Sequence, residues 1–272
     1  RDLIVVPGQE IGACFQEPSF ELMVARLQAL GDEDLERQIA FIQGSVYAHF
    51  ARDDARASSR RCPQVDACHS QAGLPTTDEL LGQALAIAQQ ISARAIRGAD
   101  GSAAWIALHY LIQAERFQLQ PMGYDLYGGT CGVAMFLAAV EKVTGGAGYR
   151  ELALGAVQPL RQALRDYGNR MARDMGIGVA SGLGSVVYAL TRVSQWLDEP
   201  TLLEDARRAA RLITAERIAD DKVLDIIGGA AGAILGLLAF YAVSPDEVVL
   251  DRAITCGQHL LQRRTESEAA YR

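Results

Sequence analysis

The amino-acid sequence predicts an all-α protein built from repeated helical hairpins, and three observations lead to that fold class. First, apolar residues after Thr76 recur at three- and four-residue steps, as on one face of an amphipathic helix. Second, helix-capping residues precede several of these segments, and glycines follow the last apolar residue of several. Third, a glycine-rich motif occurs three times, at steps of 52 and 48 residues between its final glycines. Repeats of that length are typical of helical hairpins stacked in an array or a closed ring.

The composition is that of a globular protein. Of the 272 residues, 50% are hydrophobic and 22% are charged, which excludes the disordered and collagen-like classes. The formal net charge is −7 and no basic block stands out, so we expect no nucleic-acid partner. The five cysteines are spread thinly over a long chain, which fits a reducing, cytoplasmic location. The chain opens without Met or a signal peptide, and we interpret it as a fragment.

Residues 1–75 differ in composition from the rest and are interpreted as a separate region. Leu3–Val6 is predicted to be a short strand. An amphipathic helix is predicted after the acidic start Asp32-Glu33-Asp34, because carboxylates stabilise the first turn of a helix. The apolar face of that helix consists of Leu35, Ile39, Ile42, Val46 and Phe50. The polar stretch 51–75 is predicted to be a linker or surface loop.

Residues 76–272 are predicted to form one domain that is helical almost throughout. Thr76 and Glu79 match a capping box, which opens a helix predicted to end near Gly98. A second box, Thr201 with Glu204, is predicted to open a later helix directly after a proline.

Glycine, proline and charge set further boundaries in this domain. Gly145-Gly146 is predicted to end a helix, and Pro159 to kink or divide the helix predicted over 149–167. The segment 226–243 runs 18 residues without a charge, close to the length of a membrane span. Acidic residues adjoin it at both ends and no Lys or Arg flanks it closely, so we predict a buried helix and no membrane span.

The repeated motif consists of an Asp, two bulky apolar residues, two glycines, two small residues and a final glycine. It occupies residues 125–132 and 225–232, and the related segment 177–184 has Ile177 at the Asp position. Each motif precedes a helix that is apolar on most sides, so we predict that these helices form a buried inner layer. Glycine at the start of such a helix lets neighbouring backbones approach closely. The array would gather helix N-termini around one mouth, where unpaired N–H groups favour anions or a developing enolate.

Three segments, 117–129, 176–184 and 224–233, resemble the lanthionine synthetase cyclase family. They are most similar to the C-terminal region of the bifunctional class II lanthipeptide synthetases. The resemblance implies a partial α/α toroid, about half of a lanthionine-cyclase barrel, formed by residues 76–272. It also implies that residues 1–75 are a short mixed segment, the tail of a preceding dehydratase domain plus a linker.

The same resemblance implies the chemistry. The family's dehydratase uses ATP and Mg²⁺ to dehydrate Ser and Thr of a precursor (leader-core) peptide. Its cyclase adds Cys thiols of that peptide across the dehydroamino acids, and zinc stabilises the thiolate. In the family, zinc is held by one Cys and a later Cys-His pair, which this chain does not reach. We therefore expect both cofactors to bind the complete parent protein outside this chain, and the chain alone to be inactive.

The resemblance assigns one catalytic residue to this chain, Asp225. The acidic residue at this position in the family is thought to pair with a histidine from the other half of the ring, and to orient it or assist proton transfer. A second interpretation is that Asp225 only caps the inner helix. Asp125 supports that interpretation, because it has the same register and should have no such partner.

Other candidates for chemistry are assigned structural roles. Cys62 with Cys68-His69 is interpreted as exposed linker residues, and Cys256 with His259 as a helical pair whose histidine lies on the surface. Cys131, among small residues, is predicted to be buried packing. His109, among apolar residues, is predicted to be a core or subsurface histidine.

Two alternatives to the synthetase remain open from the residues. One is a non-enzymatic helical-repeat scaffold that binds peptides. The other is another α/α-toroid enzyme, such as a glycoside hydrolase, which needs a pair of facing carboxylates. Asp125 and Asp225 are the only matched pair of acidic residues in the repeats.

Overall fold

The computed structural model describes residues 3–6, 9–12, 19–28, 30–58, 75–111 and 116–264. It is mostly helical, with ten helices and a few short strands in these residues, and 65% helix, which confirms the all-α prediction at that level. The described residues fall into two compact units. One unit contains those of Arg1–Asp66 and Leu108–Gln120, and the other contains those of Ala67–Ala107 and Pro121–Arg272.

In the first unit, β1 (Leu3–Val6) pairs antiparallel with β2 (Gln9–Gly12), and Leu3 lies opposite Gly12. The predicted strand is therefore confirmed. Two helices follow, α1 (Ser19–Gln28) and α2 (Asp32–Ser58). The acidic start of α2 is confirmed, but the helix extends through Ser58, so the prediction of a linker from residue 51 is wrong for residues 51–58. Residues 59–74 lie outside the described part of the chain.

The second unit begins with α3 (Thr77–Ala93), whose N-terminus has the predicted capping box. The Glu79 amide donates to Thr76 Oγ1 at 3.2 Å, and the Thr76 amide donates to Glu79 Oε2 at 2.8 Å. The helix ends five residues before Gly98, because the chain there enters a strand.

The prediction of a helical chain almost throughout residues 76–272 is wrong between α3 and residue 121. There, β3 (Ile96–Arg97) pairs antiparallel with β4 (Ala103–Ala104), and β5 (Ile106–Leu111) pairs with β6 (Arg116–Pro121). Half-buried and exposed positions alternate over much of β5 and β6, and aromatic residues stand on both strands, a composition that suits a pleated surface. Within the second unit, the buried Trp105 donates its indole N–H to the Ile91 carbonyl on α3 at 2.8 Å.

Six helices form three helical hairpins in the second unit. The hairpins consist of α4 (Thr130–Thr144) with α5 (Arg150–Met171), α6 (Leu183–Leu197) with α7 (Thr201–Arg211), and α9 (Ala230–Tyr241) with α10 (Glu247–Gln262). A short helix, α8 (Ala215–Asp220), packs against α10. Helix α6 lies between α4 and α9, so the three helices that follow the glycine motifs pack side by side. Most residues of α6 are buried, because it has a neighbour on both sides.

The glycine signal for a helix end is correct, and the proline signal for a helix division is not. Gly145, with φ 71°, ends α4 as predicted. Helix α5 continues through Pro159, and its non-helical dihedrals occur at Tyr167 (φ −149°, ψ 34°), so the predicted division at Pro159 is wrong. Buried residues on both sides of Pro159 hold the helix despite the lost backbone bond.

Helix α7 begins at Thr201, directly after Pro200, as predicted, but the second capping box is absent because Thr201 and Glu204 are bonded elsewhere. Thr201 Oγ1 donates to Glu199 and accepts from Arg161, and Glu204 pairs with Arg207. The uncharged segment 226–243 contributes only the 12 residues of α9 to a helix. Within the described ranges, no helix has the length and apolar character needed to cross a membrane.

Candidate active site

Three loops lead into the packed helices α4, α6 and α9. We name them loop 1 (123–129), loop 2 (176–182) and loop 3 (224–229). Loop 1 bonds to loop 2, because the amides of Leu126 and Tyr127 donate to the Ala180 carbonyl at 3.1 and 2.9 Å. Loop 2 bonds to loop 3 through five amides, of which those of Ile177 and Gly178 donate to the Gly228 carbonyl at 3.1 and 2.9 Å. The three loops and the three helix N-termini therefore lie together at one end of the hairpins.

The final glycine of each motif lets the loop pack closely against the start of the helix that follows it. A Cβ on Gly132 would lie 2.3 Å from the Leu126 carbonyl oxygen, and a Cβ on Gly232 would lie 1.9 Å from that of Ile226. No Cβ atom fits at such distances, so these positions require glycine. The N-caps of the three helices are also glycines, Gly129, Gly182 and Gly229, and no side chain bonds to these helices from the N-cap position.

The structure places Asp225 in loop 3 and Asp125 at the same position in loop 1. Asp225 Oδ1 accepts a hydrogen bond from the Gly228 amide at 2.8 Å, and Asp125 Oδ1 accepts one from the Gly128 amide at 2.7 Å. Each carboxylate braces its own loop and does not cap the following helix directly. Asp225 is exposed and Asp125 is half-buried. Among the described residues, no donor bonds to Asp225 Oδ2, so one oxygen of this exposed carboxylate is free at the end of the hairpins where the three loops meet.

Asp125 and Asp225 do not form one site with each other in this arrangement. Loop 2, with Ile177 at the equivalent position, lies between their loops, and each carboxylate is bonded within its own loop. A glycosidase needs two carboxylates that face one bond, which these contacts do not provide.

The interpretation of His259 as a surface histidine is wrong. His259 is 7% exposed, and Nε2 lies 3.0 Å from the Asp221 carbonyl oxygen. Cys256, one turn earlier on α10, is fully buried, and burial raises the pKa of its thiol to about 12. No group of three or more His, Cys, Asp or Glu side chains in the described part of the chain is arranged to hold a metal ion.

The remaining candidates have packing roles or lie outside the described residues. Cys131 is completely buried, and burial raises the pKa of its thiol above the usual range, with a smaller contribution from the nearby Asp125 carboxylate. The prediction of buried packing is confirmed. His109 is half-buried on β5, at a subsurface position as predicted but on a strand. Cys62 and Cys68-His69 lie outside the described part of the chain.

Sequence reasoning missed Asp221, whose carboxylate makes the hydrogen bond to the start of α9. Asp221 Oδ2 accepts from the amides of Ala230, at 2.8 Å, and Leu224, at 3.2 Å, and Oδ1 accepts from the Val223 amide at 3.0 Å. The bond to Val223 is the usual Asp turn, a signal that the sequence does contain. The bond to Ala230 spans the whole of loop 3 and could not be predicted from local sequence.

The structure thus defines a class of protein, a repeated helical-hairpin protein whose glycine-rich loops meet at one end. The model of the family described as lanthionine synthetase C-like protein matches residues 120–272, which is more than half of the chain and includes all three loops. The chain belongs to the lanthionine synthetase C-like family. A search of curated proteins found no match.

Proposed function

We propose that this chain is part of a bifunctional class II lanthipeptide synthetase, and that residues 76–272 form about half of the α/α toroid of the cyclase. The family match over residues 120–272 is the observation that carries the proposal. Under this proposal, residues 1–75 belong to the end of the dehydratase domain and its linker. The substrate is a precursor peptide with a leader and a core, and the parent enzyme works in the cytoplasm.

The reaction proposed for the site is addition of a Cys thiol to a dehydroamino acid. The sulfur forms a bond to the β-carbon, the carbon–carbon π bond breaks, and its electron pair moves into an enolate. The thiol proton must leave, and a proton must be returned to the α-carbon. We assign Asp225 to these proton transfers. It acts either directly or by orienting a histidine from another part of the parent protein, because Asp225 is exposed and its Oδ2 accepts no hydrogen bond from the described residues.

The described residues do not fit a zinc site. They contain no cluster of three possible ligands, and both cysteines among them are buried thiols with raised pKa values, whereas zinc binds thiolates. We propose that zinc, and the ATP and Mg²⁺ used for dehydration, bind the parent protein outside the described residues. The steps assigned to this chain therefore involve positioning and proton transfer only.

The proposal is tested with the complete parent protein and a synthetic peptide that contains one dehydroalanine and one Cys. Addition leaves the peptide mass unchanged, so ring closure is followed as the loss of thiol that iodoacetamide can alkylate. We expect thiol loss well above the rate without protein. Peptide binding without thiol loss would support a non-enzymatic scaffold and contradict the proposal. With the unmodified precursor peptide and ATP, we expect loss of one water mass for each dehydrated Ser or Thr.

A further inference from the structure

Loop 3 is held differently from the other two loops. In loops 1 and 2, the amide of the first helical residue donates to a backbone carbonyl at the start of the loop: Thr130 to Gly123 and Leu183 to Gly176, both at 2.8 Å. In loop 3, the corresponding amide, that of Ala230, donates to the Asp221 carboxylate. The residues in register with Asp221 in the other two repeats are Pro121 and Arg173, which carry no carboxylate.

The same carboxylate oxygen also holds the residue before Asp225. Leu224 has φ 62°, in the left-handed region that a leucine rarely adopts, and its amide donates to Asp221 Oδ2. A charged acceptor makes a stronger hydrogen bond than a neutral one, so Asp221 can stabilise this unfavourable backbone conformation. Oδ2 therefore joins the two ends of loop 3, on either side of Asp225.

Asp221 is itself fixed by two helices. Its amide donates to the Ile218 carbonyl on α8 at 3.2 Å, and its carbonyl oxygen lies 3.0 Å from His259 Nε2 on α10. Because a carbonyl oxygen only accepts hydrogen bonds, Nε2 of His259 must carry the proton in this contact. The outer helix α10 is thus connected to loop 3 through Asp221.

We infer that Asp221 is a positioning residue for Asp225: it holds loop 3 in the conformation that presents the Asp225 carboxylate to the substrate. This inference rests on the proposed function, in which Asp225 assists ring closure. The difference between the two carboxylates supports this inference, because Asp225 is exposed and Asp125 is half-buried. Loop 1, which carries Asp125, has no carboxylate in the place of Asp221 and no left-handed residue before the Asp. His259 supports the position of Asp221 from α10.

The test is a double-mutant cycle in the complete parent protein, with the dehydroalanine peptide as substrate. The variants are Asp221→Ala, Asp225→Asn and the combination, and kcat and KM for thiol loss are measured for each. We expect Asp221→Ala to lower kcat about tenfold while KM changes little, because substrate binding is retained. In the Asp225→Asn background, Asp221→Ala should cause almost no further loss, because it acts through Asp225. Asp220→Ala, an exposed neighbour at the end of α8, is the matched control and should leave kcat unchanged.

Two different results would overturn the inference, and they separate it from the proposed function. If Asp221→Ala lowers kcat by the same factor in both backgrounds, Asp221 acts independently of Asp225, while the role of Asp225 stands. If Asp225→Asn leaves kcat unchanged, the role of Asp225 fails and the inference fails with it. Should the alanine variant lose its circular-dichroism signal, Asp221→Asn replaces it in the same cycle. Asparagine keeps one carbonyl oxygen for the Leu224 and Ala230 amides, so Asp221→Asn should lower kcat less than Asp221→Ala does. In the Asp225→Asn background, Asp221→Asn should likewise cause almost no further loss of kcat.

Discussion

Asp125 and Asp225 make the same loop hydrogen bond but differ in exposure, which makes them a natural pair for comparison. Each accepts from the glycine amide three residues later, so replacing either by Asn keeps an acceptor and removes the charge. We predict that Asp225→Asn slows ring closure about a hundredfold, the usual contribution of a positioned acid or base, and leaves dehydration intact. Asp125→Asn should change ring closure less than about twofold, as expected for a loop brace.

The readout is thiol loss on the dehydroalanine peptide, with dehydration of the unmodified precursor measured in parallel. Equal effects of the two variants would mean that both carboxylates only brace their loops. Loss of dehydration together with ring closure would indicate a general folding defect.

Gly232 has the least room for a side chain among the glycines of the described residues. A Cβ there would lie 1.9 Å from the Ile226 carbonyl oxygen and 2.5 Å from the Val179 amide nitrogen, and backbone atoms cannot move aside as flexible side chains do. We predict that Gly232→Ala lowers the free energy of unfolding by about 3 kcal/mol or more, at the upper end of overpacking effects. Urea denaturation followed by circular dichroism measures this change.

Gly257 provides the matched control. It lies within α10, and an added Cβ would have no neighbour within 4 Å. Gly257→Ala should therefore stabilise the protein by about 1 kcal/mol through helix propensity. Similar destabilisation by both substitutions would contradict the close approach of Gly232 to Ile226 and Val179.

At the residue scale, the sequence predicted what local pattern determines. The glycines of the motif, the packing of Cys131 and the shared register of Asp125 and Asp225 were all readable from the repeats. The burial of His259 was not, because the face of α10 that is covered depends on the Asp221 turn, 38 residues away in sequence. The contact between Asp221 and Ala230 has the same origin in tertiary structure.

At the scale of elements, a buried ion pair joins the outer helices α5 and α7. Arg161 Nε donates to Asp205 Oδ2 at 2.7 Å, and Arg208 Nη1 donates to Asp205 Oδ1 at 2.8 Å. The Asp205 side chain is 2% exposed. Because removing one partner leaves the buried end of Arg161 without its counter-charge, we predict that Asp205→Ala lowers the free energy of unfolding by about 3 kcal/mol.

Glu204→Gln is the control for this prediction on the same helix. The Glu204 side chain is 64% exposed in its pair with Arg207, so its loss should cost less than about 1 kcal/mol. Thermal unfolding of both variants decides the comparison. If Asp205→Ala were as mild as Glu204→Gln, the ion pair would not contribute to the packing of α5 against α7.

Elements with strong local signals were predictable, and elements set by packing were not. The capping box of α3, the glycine end of α4 and the apolar helices after each motif all follow from short sequence patterns. The strands of 96–121 are short and contain apolar residues that also occur in helices, so the hydrophobic periodicity alone did not distinguish strand from helix. Pro159 is tolerated because burial on both sides outweighs its lost hydrogen bond.

At the scale of the whole molecule, α4, α6 and α9 pack in a row, and α9 lies at one end of that row among the described residues. Leu235 and Leu238 are 49% and 42% exposed on α9, whereas α6, with neighbours on both sides, is buried along most of its length. The proposed toroid explains this difference, since a further inner helix of the parent protein would pack against α9. Under the proposed toroid, the exposed side of α9 is therefore an interior face of the complete ring.

The most direct test of the proposed ring is the alkylation rate of a Cys placed at position 235, measured by peptide mass mapping in the chain of 272 residues and in the proposed parent protein. Leu235→Cys should react freely in the chain alone and at least about tenfold more slowly in the parent, because a packed helix would cover it. Glu204→Cys, on the outer helix of the middle hairpin, should react equally in both. Equal reactivity of Leu235→Cys in the two proteins would contradict the ring.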